Sequence, residues 1–275
     1  MTTNEKLSAR ARVMALMNEF KIEPKKSLGQ NFLISDHVID KILDRVRSLA
    51  PQSLIEVGPG LGALTVGLQK LALPLQLLEL DAKFAQYWRE QGLNVIEVDA
   101  LKWNWSELSA PRKRVFVSNL PYQISSSIVI DRTLDDSVDA MVLMFQKEVA
   151  QRLKARVATE NYGMLSVFAQ SFWNLENLLE ASSGDFLPPP KVASRVLVFQ
   201  KIDSTIRERE QFLKFIKACF LQPRKLMISN LMQGSGKSRD FLITGFDNLK
   251  LKEKIRAQEV TVKQFIALYQ VLGYR

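Results

Sequence analysis

The sequence contains too few of the residues from which several common classes of protein are built. Cys219 is the only cysteine among 275 residues and His37 is the only histidine. This scarcity excludes an internal disulfide framework, a Cys/His zinc cluster and a Ser-His-Asp or Cys-His catalytic arrangement, and we expect no metal site. His37 lies in a segment of helical periodicity that begins at Ser35, so we interpret it as a helix-surface residue.

Long apolar runs are also missing. No run approaches the roughly 18 residues of a membrane span, and the amino terminus lacks the apolar core of a secretory signal. With 47% hydrophobic residues the chain can still bury a substantial core, in one large or two smaller domains. A single cysteine is compatible with a reducing compartment. We therefore expect a soluble, cytoplasmic protein that does not contact membranes.

What the sequence does contain is an alternation of short apolar runs and helical stretches from Leu54 to about Ile202. This alternation is typical of an α/β fold, a mostly parallel sheet with helices on both faces. Runs at 172–179 and 195–202 are predicted to close the sheet as a pair. Asp203-Ser204-Thr205 marks a boundary, because Ser and Thr are favoured N-cap residues, and helical periodicity follows it. We predict a domain at residues 1–202, with an N-terminal helical arm, and a small all-helical domain at 203–275.

A glycine-rich turn follows the first apolar run. Leu54 to Val57 reads as a strand, Gly58-Pro59-Gly60-Leu61-Gly62 comes next, and residues 63–68 read as the start of a helix. Glycines in this setting permit positive φ angles and close approach of a ligand to the backbone. The spacing is G-x-G-x-G, not the G-x-G-x-x-G of dinucleotide sites, so pyrophosphate is the less expected ligand.

Acidic residues end the next two apolar runs. Glu79 lies about twenty residues past the glycine turn, where nucleoside-binding sheets place a carboxylate for the ribose. Asp99-Ala100 ends the run 94–98, and its carboxylate is suited to accept a hydrogen bond from an adenine amino group. Each acid alone also fits a solvated strand end. Together, the polar or glycine residues near positions 57, 80, 98 and 118 indicate a single ligand site. Their combination favours S-adenosylmethionine over a dinucleotide as its ligand.

Asn119-Leu120-Pro121-Tyr122 follows the fourth apolar run, Val115 to Val117. The exocyclic amine of adenine is a poor nucleophile, because its lone pair is delocalised into the ring. An enzyme that alkylates it needs carbonyl acceptors for the amine hydrogens and an aromatic face for the ring. Asn119 and Leu120 offer carbonyls and Tyr122 offers a ring, while the proline restrains the backbone. The tetrapeptide also fits an ordinary strand-ending turn.

Over nearly its whole length the chain resembles the ribosomal RNA adenine dimethyltransferases of the KsgA type. Besides the motifs above, the resemblance rests on Lys26-Ser27-Leu28-Gly29-Gln30-Asn31-Phe32-Leu33, Asn161-Tyr162-Gly163 and Phe186-Leu187-Pro188-Pro189-Pro190-Lys191-Val192, with weaker matches at Gln222 to Lys225, Arg256-Ala257 and Gln264-Phe265. The first and third elements are highly specific, whereas the Gly-x-Gly turn alone indicates only a methyltransferase. Gln123 departs from the usual Asn, and Pro223 interrupts a run usually richer in arginine.

The resemblance implies a Rossmann-like, metal-free, monomeric methyltransferase that uses S-adenosylmethionine. The implied cofactor contacts are Asn31, Leu33, Gly58, Gly60, Glu79, Asp99, Ala100 and Asn119. Among them Gly58 would approach the amino-acid end, Glu79 the ribose and Asp99 the adenine. The implied catalytic set is Asn119, Leu120, Tyr122 and Phe186, in which Phe186 would sandwich the target base against Tyr122. We expect Asn119, Tyr122 and Phe186 to surround one cavity.

Positive charge is concentrated near the two ends of the chain. Residues 203–275 hold 14 Lys/Arg and 7 Asp/Glu, and residues 1–26 hold 6 and 3, whereas the remainder is nearly neutral. Basic segments attract a phosphate backbone without reading its sequence, although many soluble domains are moderately basic. The expected RNA-binding residues are Lys25, Lys26, Lys191, Arg224 and Lys225.

By resemblance, the substrate is small-subunit rRNA in an immature small ribosomal subunit. The enzyme would dimethylate the exocyclic amines of two adjacent adenines near the 3′ end, late in assembly. One alternative is methylation of a large-subunit rRNA adenine, of the antibiotic-resistance type. Another is an RNA-binding assembly or transcription factor without catalysis. The motifs at residues 26–33, 119–122 and 186–192 favour the first function.

Overall fold

The computed structural model describes residues 7–21, 31–109 and 111–273. The chain divides into two compact units, Met1–Ala150 with Leu175–Gln200, and Gln151–Asn174 with Lys201–Arg275. The predicted boundary at 202–203 lies close to the junction at 200–201. The segment Gln151–Asn174, which the sequence pattern assigned to the first domain, belongs to the second unit.

The first unit is built on a sheet whose strand order, within the described residues, is β4-β3-β2-β5-β6-β9-β7. The strands are β2 (Ser53–Val57), β3 (Leu75–Glu79), β4 (Asn94–Glu97), β5 (Arg114–Asn119), β6 (Ala140–Gln146), β7 (Trp173–Ala181) and β9 (Ser194–Lys201). Strands β2 to β6 are parallel, and β9 pairs antiparallel with β6. The predicted closing pair is confirmed, since β7 and β9 are neighbours at one edge.

Helices cover both faces of this sheet, as the α/β prediction requires. The helices are α1 (Ala9–Glu19), α2 (Asp36–Ser48), α3 (Thr65–Gln69), α4 (Ala82–Glu90), α5 (Ser125–Leu134) and α6 (Lys147–Leu153). Apolar side chains of α2 share one core cluster with Val115 and Val117 of β5. On the opposite face Phe116 packs against Trp105, with ring centroids 5.5 Å apart. His37 is exposed on α2, as predicted.

A two-stranded ribbon, which periodicity did not predict, lies beside the main sheet. Strand β1 (Phe32–Leu33) pairs antiparallel with β8 (Phe186–Leu187), so that Leu33 lies opposite Phe186. The backbone N–H of Ile34 extends the pairing by donating to the carbonyl of Asp185 at 2.8 Å. This ribbon joins two of the family-like elements that lie more than a hundred positions apart in the chain.

The second unit is helical in its main part. It contains α7 (Met164–Gln170), α8 (Arg209–Cys219), α9 (Met227–Ser235), α10 (Arg239–Asn248) and α11 (Val262–Val271). Phe212 of α8 lies in edge contact with Phe172 and with Tyr269, at centroid distances of 6.0 and 5.1 Å. Aromatic packing of this kind explains why Gln151–Asn174 joins the helical unit.

The Asn161-Tyr162-Gly163 element serves this helical core. Tyr162 is buried, and its hydroxyl donates a hydrogen bond to the Val260 carbonyl at 2.9 Å. Cys219 is also buried, and burial raises the pKa of its thiol well above the usual value. Both residues therefore stabilise the fold. None of the helices in the described ranges is long and apolar enough to cross a membrane.

Candidate active site

Four parallel strands of the first unit end at one cavity. Its lining includes Val57 from β2, Glu79 from β3 and Asn119 from β5, together with Asp99 just beyond β4. Open α/β sheets bind ligands in the crevice outside the carboxyl ends of their strands. The cavity therefore occupies the position that the four predicted strand ends indicated.

The glycine turn forms one wall of the cavity and requires glycine for two different reasons. Gly58 has a φ of +64° and donates its N–H to the Leu78 carbonyl at 2.8 Å. Gly62 has a φ of +78°, and a Cβ there would lie 2.4 Å from the Trp88 ring. The same ring donates its N–H to the Gly60 carbonyl at 2.9 Å. The turn is thus held in place by one hydrogen bond to the Leu78 carbonyl and one from the Trp88 ring.

Glu79 is fixed at the cavity by backbone donors. Its two carboxylate oxygens accept hydrogen bonds from the N–H groups of Gly60, at 3.1 Å, and of Asp81, at 2.9 Å. The side chain is buried, and burial raises the pKa of Glu79 while these backbone donors oppose the rise. A carboxylate held in this way is suited to accept hydroxyl hydrogens from a ribose.

The next strand places Asp99 and Ala100 at the cavity. One oxygen of Asp99 accepts the backbone N–H of Leu101 at 3.0 Å, which orients the carboxylate. The Ala100 carbonyl accepts the indole N–H of Trp105 at 2.9 Å. These two hydrogen bonds fix the segment that follows β4 at the cavity.

Asn119 is oriented by the segment that precedes β1. Its side-chain N–H group donates to the backbone carbonyl of Asn31 at 3.1 Å. Because the amide nitrogen of Asn119 is used in this bond, the side-chain carbonyl oxygen points away from Asn31. Asn31, Leu33 and Leu120 also line the cavity. The predicted contacts Asn31, Leu33, Gly58, Gly60, Glu79, Asp99, Ala100 and Asn119 are all brought together here.

Tyr122 presents a ring to the same cavity. Its hydroxyl shares a hydrogen bond of 2.7 Å with the hydroxyl of Ser194, the first residue of β9. Ser194 is fully buried, so the anchor is rigid. Burial raises the pKa of the Tyr122 phenol, and the bond to Ser194 opposes that rise. The ring is therefore fixed at its hydroxyl end by Ser194, for which the sequence pattern predicted no role.

Phe186 is not brought to the cavity, contrary to the expectation that it surrounds the base with Asn119 and Tyr122. Its side chain is 2% exposed and belongs to the core cluster that also contains Leu33 and residues of α2. In the ribbon it lies opposite Leu33. In this structure its ring supports the ribbon, and the predicted sandwich with Tyr122 is not formed.

Comparison with known proteins shows the family of this chain. A family model described as ribosomal RNA adenine dimethylase matches residues 22–273. The chain belongs to this family. A relative from Bdellovibrio bacteriovorus, named ribosomal RNA small subunit methyltransferase A, is 51% identical over 97% of this chain and 98% of its own length. The protein of the same name from Staphylococcus carnosus is 34% identical over 95% and 94%.

Two solved structures share the fold of this dimethylase-family chain. A dimethyladenosine transferase from Plasmodium falciparum has a TM-score of 0.73 and 22% identity, covering 88% of this chain and 98% of its own. The 23S rRNA methyltransferase ErmE has a TM-score of 0.65 and 22% identity, covering 88% and 99%. At this identity the likeness shows the fold alone, and it confirms the Rossmann-like α/β architecture.

Residues expected to bind RNA in this family member lie in both units. Lys191 is exposed in the turn between β8 and β9 of the first unit. Arg224 and Lys225 are exposed between α8 and α9 of the second unit, where the Lys225 N–H closes a turn onto the Gln222 carbonyl at 3.0 Å. The predictions for residues 25 and 26 fall outside the described residues.

Glu56 is a cavity residue that the sequence reasoning missed. It lies on β2, is 3% exposed, and its Oε2 atom has no hydrogen-bond partner in the described structure. Burial raises the pKa of Glu56 to about 8; the neighbouring Thr65 hydroxyl opposes the rise and Glu79 adds to it. The available signal was an acid inside an otherwise apolar strand, Leu54-Ile55-Glu56-Val57.

Proposed function

We propose that this protein dimethylates the exocyclic amines of two adjacent adenines near the 3′ end of small-subunit (16S) rRNA, using S-adenosylmethionine. The family and the relatives named small subunit methyltransferase A support the reaction and the class of RNA. The observation that carries the proposal is the position of Asn119 and Tyr122 beside a cavity lined by acids. The natural substrate is an immature small ribosomal subunit, and the enzyme acts as a monomer.

The residues present fit S-adenosylmethionine. Four acids, Glu56, Glu79, Asp81 and Asp99, line the cavity, and the described lining contains no Lys, Arg or His. Such a lining suits a ligand that carries positive charge. Glu79 would hold the ribose, Asp99 the adenine, and the turn at Gly58 and Gly60 would lie against the amino-acid end. When bound, this cosubstrate supplies a methyl group on a positively charged sulfur.

The chain's own residues would position the target amine. The carbonyls of Asn119 and Leu120 accept its hydrogens, so that the lone pair points into the cavity. The bond from Asn119 to the Asn31 carbonyl keeps the amide from rotating. Positioning of this kind can supply most of the rate of a direct displacement. The amine becomes acidic as it is alkylated and releases its proton to water, so no strong base is needed.

Tyr122 would stack on the target base, since bases extruded from RNA are bound between aromatic or apolar side chains. Its hydroxyl bond to Ser194 would hold the ring at a fixed angle. To stack on the target base, the Phe186 ring would have to leave the core in which it is buried. Its stacking role therefore stays a prediction for the RNA-bound protein. From its buried position, Phe186 would act by supporting the β1–β8 ribbon that carries Leu33.

The second unit would supply much of the attraction to RNA. Residues 151–174 and 201–275 hold 18 Lys/Arg and 8 Asp/Glu, whereas residues 1–150 and 175–200 hold 20 and 21. A net positive unit binds the phosphate backbone with a strong dependence on salt. Arg224 and Lys225 are exposed members of this set.

Mass spectrometry of rRNA from cells that lack the protein tests the function directly. We expect the loss of two N6,N6-dimethyladenosines from small-subunit rRNA and their return when the gene is restored. Restoration with the Asn119→Ala variant should leave both adenines unmodified. An unchanged small-subunit rRNA, or a methyl group lost from large-subunit rRNA, would contradict the proposal.

A further inference from the structure

Three charged side chains lie together at the end of the sheet that carries the candidate active site. Lys147 directly follows β6, Glu180 is the last residue but one of β7, and Arg195 is the second residue of β9. Glu180 accepts one hydrogen bond from Lys147 Nζ, at 3.1 Å, and another from the Arg195 guanidinium. We call these three residues the edge cluster. Because it contains two cations and one acid, its net charge is positive.

The two cations of the edge cluster bind different oxygens of one carboxylate. Lys147 donates to Oε2 of Glu180 and Arg195 donates to Oε1. These bonds, that from Arg195 first, lower the pKa of Glu180, so the acid is an anion at neutral pH. Two donors arranged for two oxygens of one anion also suit the two non-bridging oxygens of a phosphodiester.

The acid of the edge cluster is in a position to be displaced. The Glu180 side chain is 49% exposed, whereas that of Arg195 is 15% exposed. Ion pairs that lie open to water contribute little to stability. The guanidinium is therefore held by its surroundings, and the carboxylate can turn towards the solvent when another anion takes its place.

The edge cluster lies beside the residue that anchors the Tyr122 ring. Gln146, the last residue of β6, pairs with Ser194, whose hydroxyl bonds that of Tyr122. Each cation of the edge cluster is the next residue after one member of this pair. The Lys147 N–H also extends the pairing by donating to the Ala193 carbonyl at 2.9 Å. The edge cluster thus flanks the side of the cavity on which the target base would stack.

The acids of the cavity would repel the phosphates that accompany a target nucleotide. An adenine in an RNA strand carries a phosphodiester on each side of its ribose. The described lining of the cavity has four acids and contains no Lys, Arg or His. Cations just outside the cavity, next to the expected position of the base, would offset this repulsion.

We propose that the edge cluster binds a phosphodiester of the RNA next to the target adenine, and that Glu180 holds the place of this phosphate in the free protein. On binding, the phosphate accepts the hydrogen bonds of Lys147 and Arg195, and the Glu180 side chain turns to the solvent. No covalent bond is made or broken. The inference rests on the proposed function, because it takes RNA as the substrate.

Binding of immature small subunits, measured at several salt concentrations, tests the site without methyl transfer. Lys147→Ala with Arg195→Ala should raise the Kd by about three- to tenfold and reduce the slope of log K against log salt by about one. Glu180→Gln removes the competing anion and should lower the Kd by about two- to fivefold. The affinity for S-adenosylmethionine should be unchanged in both variants.

Glu176→Gln is the matched control for the removal of an acid. Glu176 lies on the same strand β7, is equally exposed at 49%, and pairs with Arg45. It is about 13 Å from Glu180 along the strand, more than one Debye length at physiological salt. Arg45 also bonds Gln200, towards the opposite end of the sheet. Glu176→Gln should bind small subunits as the unaltered protein does.

A triple variant separates displacement of Glu180 from simple repulsion between Glu180 and RNA. If Glu180 occupies the phosphate position, its removal helps only while the two cations are present. Adding Glu180→Gln to Lys147→Ala and Arg195→Ala should then leave the Kd of the double variant unchanged. If Glu180 only repels RNA, the triple variant would bind more tightly than the double variant.

The outcomes distinguish this inference from the function on which it rests. If the unaltered protein neither binds nor methylates immature small subunits, the proposed function fails. If it does both, but Glu180→Gln behaves as Glu176→Gln or the double variant keeps the full salt slope, only the phosphodiester site is wrong. A gain that persists in the triple variant would also overturn the proposal. Melting curves show whether each variant is folded, and Glu180→Gln, which keeps both cations, decides if the double variant is not.

Discussion

The two units of the chain differ in the number and placement of their charged residues. The first unit is nearly neutral in total, yet it gathers four acids around one cavity at the end of its sheet. The second unit holds more than twice as many basic as acidic residues, and its core is aromatic and helical. The proposed reaction transfers a methyl group from a small cation to a base of a polyanion. The charge of each unit thus suits a different ligand, the small cation for the first unit and the polyanionic RNA for the second.

The largest expected effect is on the amide that would position the target amine. Asn119→Ala removes a carbonyl that would act on the reacting nitrogen, so methyl transfer in a single turnover should fall by at least about a hundredfold. Binding of S-adenosylmethionine should change much less. Asn177→Ala, at an exposed asparagine of β7, is the matched control and should behave as the unaltered protein. Transfer by Asn119→Ala within about threefold of normal would contradict its role.

The next effect separates the Tyr122 ring from its hydroxyl. Stacking on a base is worth about 1–3 kcal/mol, so Tyr122→Ala should lower kcat/KM by about five- to 150-fold. Tyr122→Phe should cost only a few-fold, because it keeps the ring and loses the bond to Ser194. Ser194→Ala should cost the same, and the double variant should cost no more than either single one. Additive losses in the double variant would show that the two hydroxyls act independently.

Phe186→Leu distinguishes support from stacking. Leucine fills much of the same buried space, so a supporting role predicts a modest fall in thermal stability and nearly normal transfer. A stacking role predicts a fall in kcat/KM comparable to that of Tyr122→Ala. Measuring both melting temperature and transfer rate on one preparation decides between these roles.

Substitutions in the second unit should change RNA binding and nothing at the cavity. The double variant Arg224→Ala with Lys225→Ala should weaken RNA binding and reduce the slope of log K against log salt by about two. Its affinity for S-adenosylmethionine should be unchanged. Lys70→Ala with Lys83→Ala, at exposed lysines of the first unit, is the matched control. An equal loss of salt dependence in both double variants would show that RNA binding does not depend more on the second unit than on the first.

A last prediction concerns stability and follows from the sign of the Glu56 shift. Folding raises the pKa of Glu56 to about 8, so the folded state holds a proton that the unfolded chain releases at lower pH. The free energy of unfolding should therefore fall as the pH rises from about 5 to 8. Glu56→Gln should flatten this decline, and urea titrations at several pH values would detect it. An equally steep decline in the variant would mean that other groups cause it.

Much of the site could be predicted because its residues stand at the ends of short apolar runs. Glu79 and Asn119 are the last residues of β3 and β5, and Asp99 lies just beyond β4. The composition of each strand marks it in the sequence, and parallel strands bring their carboxyl ends to one edge. The burial of Phe186 could not be predicted in this way. Strands β1 and β8 have two residues each, too few for any periodicity, and their pairing depends on contacts distant in sequence.

Glu56 and Ser194 show a second kind of limit. Both belong to strands, Glu56 to β2 and Ser194 to the first position of β9, and only the three-dimensional structure shows that both side chains are buried. Glu56 matters to the site because it lines the cavity, and Ser194 matters because its hydroxyl bonds that of Tyr122. A contact with one residue from a distant segment leaves no pattern in the local sequence.

The most direct test of the central claim is methyl transfer from labelled S-adenosylmethionine to purified immature small subunits, with the modified nucleosides identified by mass spectrometry. We predict two N6,N6-dimethyladenosines per particle with the unaltered protein and none with Asn119→Ala. Label on large-subunit RNA, on another base, or at equal level with the variant would contradict the assignment of this cavity to adenine dimethylation.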